Sequence, residues 1–187
     1  AVVARTLQIA AENVEERLER IERAHGIIRL IEEHELSGRT PSLRYAFTHH
    51  YHHNVFHETL RGARRQKLSA ATAAAVPEYR GAAGVLASQL AMLYQAAHDF
   101  QQAAVSFLAA AKHAAQVFAN KETVLLARRG LDALTALEPS ADRDRLELQL
   151  QAALGFALTS VAGYASPEVE AAYLRTRVLC DQLGDSS

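Results

Sequence analysis

The spacing of apolar residues near the start of the chain is helical. One helical face carries three of them, Val14, Leu18 and Ile21. Asn13 is a favoured N-cap residue, and Glu16, three positions further on, completes a capping box. Gly26 is a favoured helix end. We therefore predict a helix from Asn13 to Gly26, preceded by a short helix over residues 2–11.

After Gly26 the pattern changes from helical to extended. Residues 27–31 form a short apolar run rich in β-branched side chains, and residues 37–41 form a turn cluster. Alternation of period 2 follows, with one side formed by Leu43, Tyr45 and Phe47. A helix, a strand, a turn and a strand in this order predict the C-terminal part of a winged helix over residues 1–60, with one β-hairpin.

From Thr48 onward the pattern is helical to the end of the sequence. Residues 61–84 indicate a helical connector, and the segment 77–84, which contains Pro77, marks the best domain boundary. Beyond it, short breaks separate five helical segments, over residues 85–97, 100–119, 122–137, 142–161 and 168–183. Short breaks favour antiparallel neighbours. We therefore predict a mainly α protein with an antiparallel helical array over residues 85–187.

Residues of this array partly match the spacing of tetratricopeptide repeats. The first register consists of Ala87, Leu90, Ala91, Tyr94, Ala103 and Phe107. A second, partial register consists of Ala127, Leu131 and Pro139, and Leu154-Gly155 repeats the first-helix pair. In such repeats a small residue lets two helices touch while an aromatic ring fills the space above it. The match predicts a tetratricopeptide-like array whose concave surface suits a peptide or small effector; a generic helical bundle is the alternative.

Composition and charge narrow the class of protein. Hydrophobic residues make up 49% of the 187 residues, many of them alanine, and tryptophan is absent, which is typical of closely packed helices. The formal net charge of −1 provides no general attraction for nucleic acid or an anionic membrane. The single cysteine, Cys180, suggests a reducing compartment. The sequence contains no bilayer-spanning apolar run and no signal peptide, and it begins at Ala1, without an initiator methionine, directly within helical-looking sequence. We therefore expect a piece of a longer cytoplasmic protein.

Five of the nine histidines lie within nine residues: His49, His50, His52, His53 and His57. Pairs at i,i+4 share a helix face, as in helical zinc sites. However, no cysteine lies nearby, and Glu58 is the one close carboxylate. We therefore predict no metal site and interpret most of these histidines as a solvated helix face, with His49 partly buried.

No catalytic motif accompanies this cluster. The sequence has no G-x-S-x-G elbow, no phosphate-binding loop and no G-x-G-x-x-G, so we predict that this fragment is not an enzyme. Cys180 fits a small core residue, and the basic residues Arg61, Arg64, Arg65 and Lys67 fit a solvated face. DNA binding by the winged helix is disfavoured, because the helix before the hairpin carries Glu12, Glu15, Glu16, Glu19 and Glu22.

The order of motifs resembles that of bacterial STAND-class signalling ATPases. The likeness starts at R-Y-x-F-x-H, N-V-F and L-R-x-x-R-R-x-x-L-S in residues 44–69. It continues through residues 90–93, 97–100, 127–131, 148–150, 163–169 and 179–180. In that family an AAA-type nucleotide-binding domain precedes a winged helix and tetratricopeptide-like repeats, and some members are fused to adenylate or guanylate cyclase or to LuxR-type domains.

The resemblance implies a role for one histidine. In the family, a histidine at the end of the second wing strand approaches the phosphates of bound ADP, and Phe47-Thr48-His49 occupies that place, although His50 stands where such motifs often carry Asp or a small residue. It also implies a regulatory fragment that couples a protein, peptide or small-molecule effector on the helical array to an upstream ATPase domain. The fragment itself would hold no cofactor, whereas the parent would bind ATP or ADP. A protein–protein scaffold and a DNA-binding regulator are the alternatives.

Overall fold

The computed structural model describes residues 1–36, 40–76 and 83–184. Within these residues the protein is mainly α-helical, with one antiparallel β-hairpin and a helical array, which confirms the predicted fold class. The chain divides into two compact units, Ala1–Arg80 and Gly81–Ser187. Residues 37–39 of the predicted turn and residues 77–82 of the predicted boundary lie outside the described residues.

The elements follow in a simple order. Those of the first unit are α1 (Val2–Leu7), α2 (Ala11–His25), β1 (Ile28–Leu36), β2 (Thr40–Phe47), α3 (His50–Thr59) and α4 (Gly62–Ala75). Those of the second unit are α5 (Ala83–Ala96), α6 (Phe100–Gln116), α7 (Asn120–Leu134), α8 (Ala141–Ala162) and α9 (Pro167–Gly184). No described helix is long and apolar enough to cross a membrane.

Helix α2 ends as predicted but begins earlier than predicted. Gly26 adopts a left-handed conformation (φ 59°) that terminates the helix, and its N–H donates to the Glu22 carbonyl. The predicted N-cap at Asn13 is wrong, because the helix starts at Ala11 with Ala10 at its N-cap and no side-chain cap. Alanines are strong helix formers, so they extend the helix past the polar residue.

The hairpin that follows is joined to α2 by a side chain. β1 and β2 pair antiparallel from Ile28–Phe47 to Leu36–Thr40, with a register shift between Leu30 and Glu32. The Leu30 N–H donates to a Glu22 carboxylate oxygen at 2.9 Å. Because a two-stranded sheet is marginally stable alone, this bond and the buried Ile28 tie the hairpin to the helix.

The second unit is built on alanines that let helices approach closely. Consecutive helices α5 to α9 pack against one another, and α6 also packs against α8. Ala91, Ala103 and Phe107, three residues of the predicted repeat register, are fully buried in one core. Leu154 and Gly155 are buried as well, and Gly155 faces the ring of Tyr173 on α9. Small residues at the positions where two helices cross therefore determine how closely the helices of the array pack.

Polar caps and prolines set several helix ends of the array. The Asp99 carboxylate accepts from the N–H of Gln102 at 3.1 Å at the start of α6, and the Ser140 hydroxyl accepts from the N–H of Arg143 at 3.2 Å at the start of α8. Pro167 occupies the first position of α9, where its missing N–H costs nothing. These signals explain why the predicted breaks lie close to the observed ones.

Candidate functional site

The junction between the hairpin and α3 is held in place by Thr48. Its hydroxyl donates to the Gly26 carbonyl at 2.9 Å, and its N–H donates to the Ile27 carbonyl at 3.0 Å. Both acceptors lie in the link between α2 and β1. The residue that follows Thr48 is therefore fixed relative to α2, the hairpin and α3 together.

His49 is that residue, and it serves as the N-cap of α3. Its backbone is extended (φ −142°, ψ 142°), and its Nδ1 accepts from the N–H of Tyr51 at 3.4 Å. In the neutral ring an accepting Nδ1 leaves the hydrogen on Nε2. The capping role thus leaves Nε2 as a donor that has no hydrogen-bond partner among the described residues.

The prediction that His49 is partly buried is wrong, because His49 is exposed and His52 is the least exposed histidine of the cluster. The His49 ring stacks on the Tyr51 ring at 5.1 Å between centroids and 7° between planes, and the His50 ring lies 4.5 Å away. The His52 ring meets the His49 ring edge-on at 6.4 Å, yet His49 stays exposed. As a result, an exposed imidazole is pre-oriented at the end of the hairpin.

Helix α3 has little support from the rest of its unit. None of its residues is buried. Its main attachment is Phe47, whose ring stacks on Phe56 at 6.0 Å and meets His53 edge-on at 5.8 Å. Large apolar side chains of this region are 40–65% exposed: Phe47, Tyr51, Val55 and Phe56. We call His49 and these four residues the junction surface.

The other histidines are not arranged as a metal centre. His53 and His57 stack at 5.9 Å between ring centroids, one helical turn apart, and the His53 ring lies against the Asn54 amide. Among the described residues, no group of three or more His, Cys, Asp or Glu side chains is placed to hold a metal ion. The cluster instead lines the surface of α3.

The remaining candidates are scattered. Cys180 is exposed, so its interpretation as a core residue is wrong. Arg61, Arg64 and Lys67 are exposed at the start of α4, and Arg65 is half-buried. On α2, Glu19 pairs with Arg23 at 2.6 Å. None of these residues joins His49 in one constellation.

A second feature, in the array, has no signal in the sequence. The side chain of Arg129 on α7 donates to the Gln95 amide oxygen on α5 at 2.7 Å, and its guanidinium lies 4.9 Å from the centroid of the Phe107 ring on α6. A cavity of about 230 Å³ opens between the same three helices. Sequence periodicity places each residue on its helix but does not show which helices face one another.

Comparison of the chain with protein-family models, curated proteins and solved structures finds no match. The junction surface and the array are therefore the features of the chain that bear on its function.

Proposed function

We propose that this chain is a regulatory fragment of a multidomain signalling ATPase. In this proposal the helical array binds a protein, peptide or small-molecule effector, and the hairpin and α3 transmit that event to a nucleotide-binding domain upstream. The proposal extends the resemblance to STAND-class regulators, and the junction surface is the observation that carries it.

The exposure of α3 supports a partner domain at this place. A helix whose residues are all at least partly exposed gains little from its own unit, since helical stability in proteins comes mainly from packing. Contiguous apolar side chains rimmed by polar ones typically mark an interaction site. Tyr51, Val55 and Phe56 provide such side chains, and the histidines provide the rim.

The geometry of His49 supports a phosphate contact. Its Nδ1 is engaged by the N–H of Tyr51, so Nε2 is the atom available to donate. Thr48 fixes the junction through Gly26, which ends α2. A contact made by His49 in one nucleotide state and lost in the other would bias the fragment between two arrangements, which is what coupling requires.

The experiment compares His49→Ala with His57→Ala in the longer protein that we propose to contain this chain. His57 is also an exposed histidine of the cluster, but it lies at the other end of α3. We expect His49→Ala to accelerate ADP release by roughly 10-fold or more, since a hydrogen bond to a charged group contributes about 1.5–3 kcal/mol. We expect His57→Ala to leave release unchanged.

ADP release is measured by displacement of a fluorescent ADP analogue. Equal release rates for wild type and His49→Ala would contradict the proposed role of His49. A longer protein that binds no nucleotide would contradict the proposed function as a whole.

A protein–protein interaction scaffold is the second candidate, and the cavity between α5, α6 and α7 favours it. The two functions differ in one respect. A scaffold binds its partner through the array whatever happens at His49, whereas the proposed switch changes its nucleotide affinity when the array is occupied.

A further inference from the structure

The cavity in the array lies between α5 and α7, above α6. Ser88 on α5 and Glu122 and Leu126 on α7 form its walls. Its floor is the face of α6 that carries Ala110 and Ala114, which are buried. These alanines have short side chains and leave space between the two outer helices, and His113 of α6 completes the lining on the same side as Ala110 and Ala114.

Beyond the residues that line the cavity, Arg129 and Gln95 bridge α7 and α5 further along α6, and we call the cavity and the space up to this bridge the groove. On α5, Ser88 and Gln95 are seven residues apart and lie on one face, as do Glu122 and Arg129 on α7. The hydrogen bond from Arg129 to Gln95 joins the two walls at 2.7 Å, above the Phe107 ring. The other end is open beside Val117, whose side chain is 61% exposed.

The two ends carry opposite charges. Arg129 is half-buried, and the partners that the structure gives it among the described residues, Gln95 and the Phe107 ring, are uncharged. Glu122 is exposed at the open end and has no ion-pair partner in the described part of the chain. The two residues are about 10.5 Å apart along α7, at about 1.5 Å per residue.

An apolar section lies between the charges. The cavity of about 230 Å³ accommodates one large side chain. Its alanine floor and its Leu126 wall are apolar, whereas Ser88, His113 and Glu122 make the rest of the lining polar. Phe118, next to Val117, is 82% exposed and has a φ of 58°, a conformation that is rare for a bulky residue. Val117 and Phe118 are therefore two exposed apolar side chains in the link between α6 and α7.

We propose that the groove binds an extended peptide segment of a partner protein, with a basic residue opposite Glu122, a large apolar side chain over Ala110 and Ala114, and a carboxylate at Arg129. In an extended chain, residues i, i+2 and i+4 point to one side and span about 13 Å, within side-chain reach of both charges. The proposal deepens the effector-binding part of the proposed function and rests on it.

The probes are two synthetic peptides with blocked ends, Lys-Ser-Leu-Ser-Glu and Glu-Ser-Leu-Ser-Lys, which cover both chain directions. They are titrated into the whole 187-residue chain, labelled with ¹⁵N, because chemical shifts also detect weak binding. We expect saturable shifts of amides in α5, α6 and α7 with at least one peptide. A peptide with Leu exchanged for Ser is expected to bind at least 5-fold more weakly.

Charge reversal provides the decisive step. Glu122→Lys is expected to weaken the preferred peptide by roughly 5-fold, the upper range for an exposed ion pair. When the Lys of that peptide is replaced by Glu, the altered peptide is expected to bind the Glu122→Lys variant with the lost affinity restored. Glu170→Lys is the matched control, since Glu170 also lies in the first turn of a helix, and it should leave binding unchanged.

The cationic end is tested by Arg129→Gln, with Arg128→Gln as the neighbouring control because Arg128 pairs instead with Glu168. Thermal unfolding first shows whether each variant is folded. If Arg129→Gln is unfolded, the Glu122 charge reversal alone tests the proposal. Absence of saturable binding by both peptides overturns the proposal. Binding that is insensitive to Glu122→Lys also overturns it, whereas neither result bears on ADP release through His49.

Discussion

At the scale of single residues, Glu147 is the carboxylate at the centre of a hydrogen-bond network that links three helices. It is buried on α8, and Arg175 of α9 donates to both of its oxygens, from Nε at 2.5 Å and from a terminal nitrogen at 2.8 Å. Arg143 donates to Glu147 at 3.3 Å and to the Leu134 carbonyl of α7 at 3.2 Å. The hydrogen bond from Arg175 is the main reason why the pKa of Glu147 is lowered.

A lowered pKa has a definite consequence for stability. The ionised form contributes stability above the carboxyl's unfolded pKa, near 4.3, and the contribution disappears as the pH falls through the folded pKa. We predict that Glu147→Gln reduces the free energy of unfolding at pH 7 by about 1–2 kcal/mol, less than for a fully buried pair because Arg175 is partly exposed. The difference in the free energy of unfolding between wild type and Glu147→Gln should shrink below about pH 4.

Urea denaturation at pH 7, 5 and 3.5 measures this effect. Arg145→Gln is the control, because the Arg145–Asp142 pair is exposed and should contribute little at any pH. A wild-type-to-variant difference that is the same at all three pH values would show that the charge of Glu147 is not what joins the helices.

At the scale of elements, two buried glycines lie at helix contacts that differ in how closely the neighbouring helix approaches. A Cβ on Gly130 of α7 would lie 2.6 Å from Leu150 Cδ2 on α8 and 3.3 Å from Phe107 Cβ on α6. A Cβ on Gly155 of α8 would lie at least 3.4 Å from Tyr173, which is ordinary contact. Leu150 and Phe107 are fully buried and have little room to move.

We therefore predict opposite results for the same substitution. Gly130→Ala should destabilise the array by about 1–3 kcal/mol through overpacking, despite the better helix propensity of alanine. Gly155→Ala should be neutral or stabilise by up to about 1 kcal/mol. The midpoints of thermal unfolding test the pair, and the double variant Gly130→Ala, Leu150→Val should recover part of the loss. Equal effects at both glycines would contradict the described packing.

Elements were easier to predict from the sequence than sites. Gly26, Ser140 and Pro167 act through local backbone chemistry, so the helix ends next to them were predictable. The start of α2 was not, because propensity at Ala11 prevailed over the capping preference of Asn13. The exposure of His49 also escaped prediction, since burial depends on whether another element covers α3.

The groove could not be predicted from the sequence either, because it too depends on which helices pack together. Arg129 and Gln95 are 34 residues apart and ordinary in sequence. They meet because α5 and α7 both pack on α6, and the pairing of helices is a tertiary property. The charges at the two ends of the groove therefore became visible only after the fold was known.

At the scale of the whole molecule, the two units present two separate surfaces. The first unit presents the junction surface, and the second presents the groove between α5 and α7. We propose that a nucleotide-binding domain covers the former and an effector peptide occupies the latter. The proposal requires each surface to be covered by a different partner, so each is tested by itself.

Hydrogen–deuterium exchange of α3 tests the central claim most directly. Exchange is compared between this chain alone and the longer ADP-bound protein, with the amides of the buried helix α6 as an internal reference. We predict that the amides of His50–Thr59 exchange at least 10-fold more slowly in the longer protein, because docking would stop the helix from opening, whereas α6 is unchanged. Equal exchange of α3 in the two proteins would contradict the account.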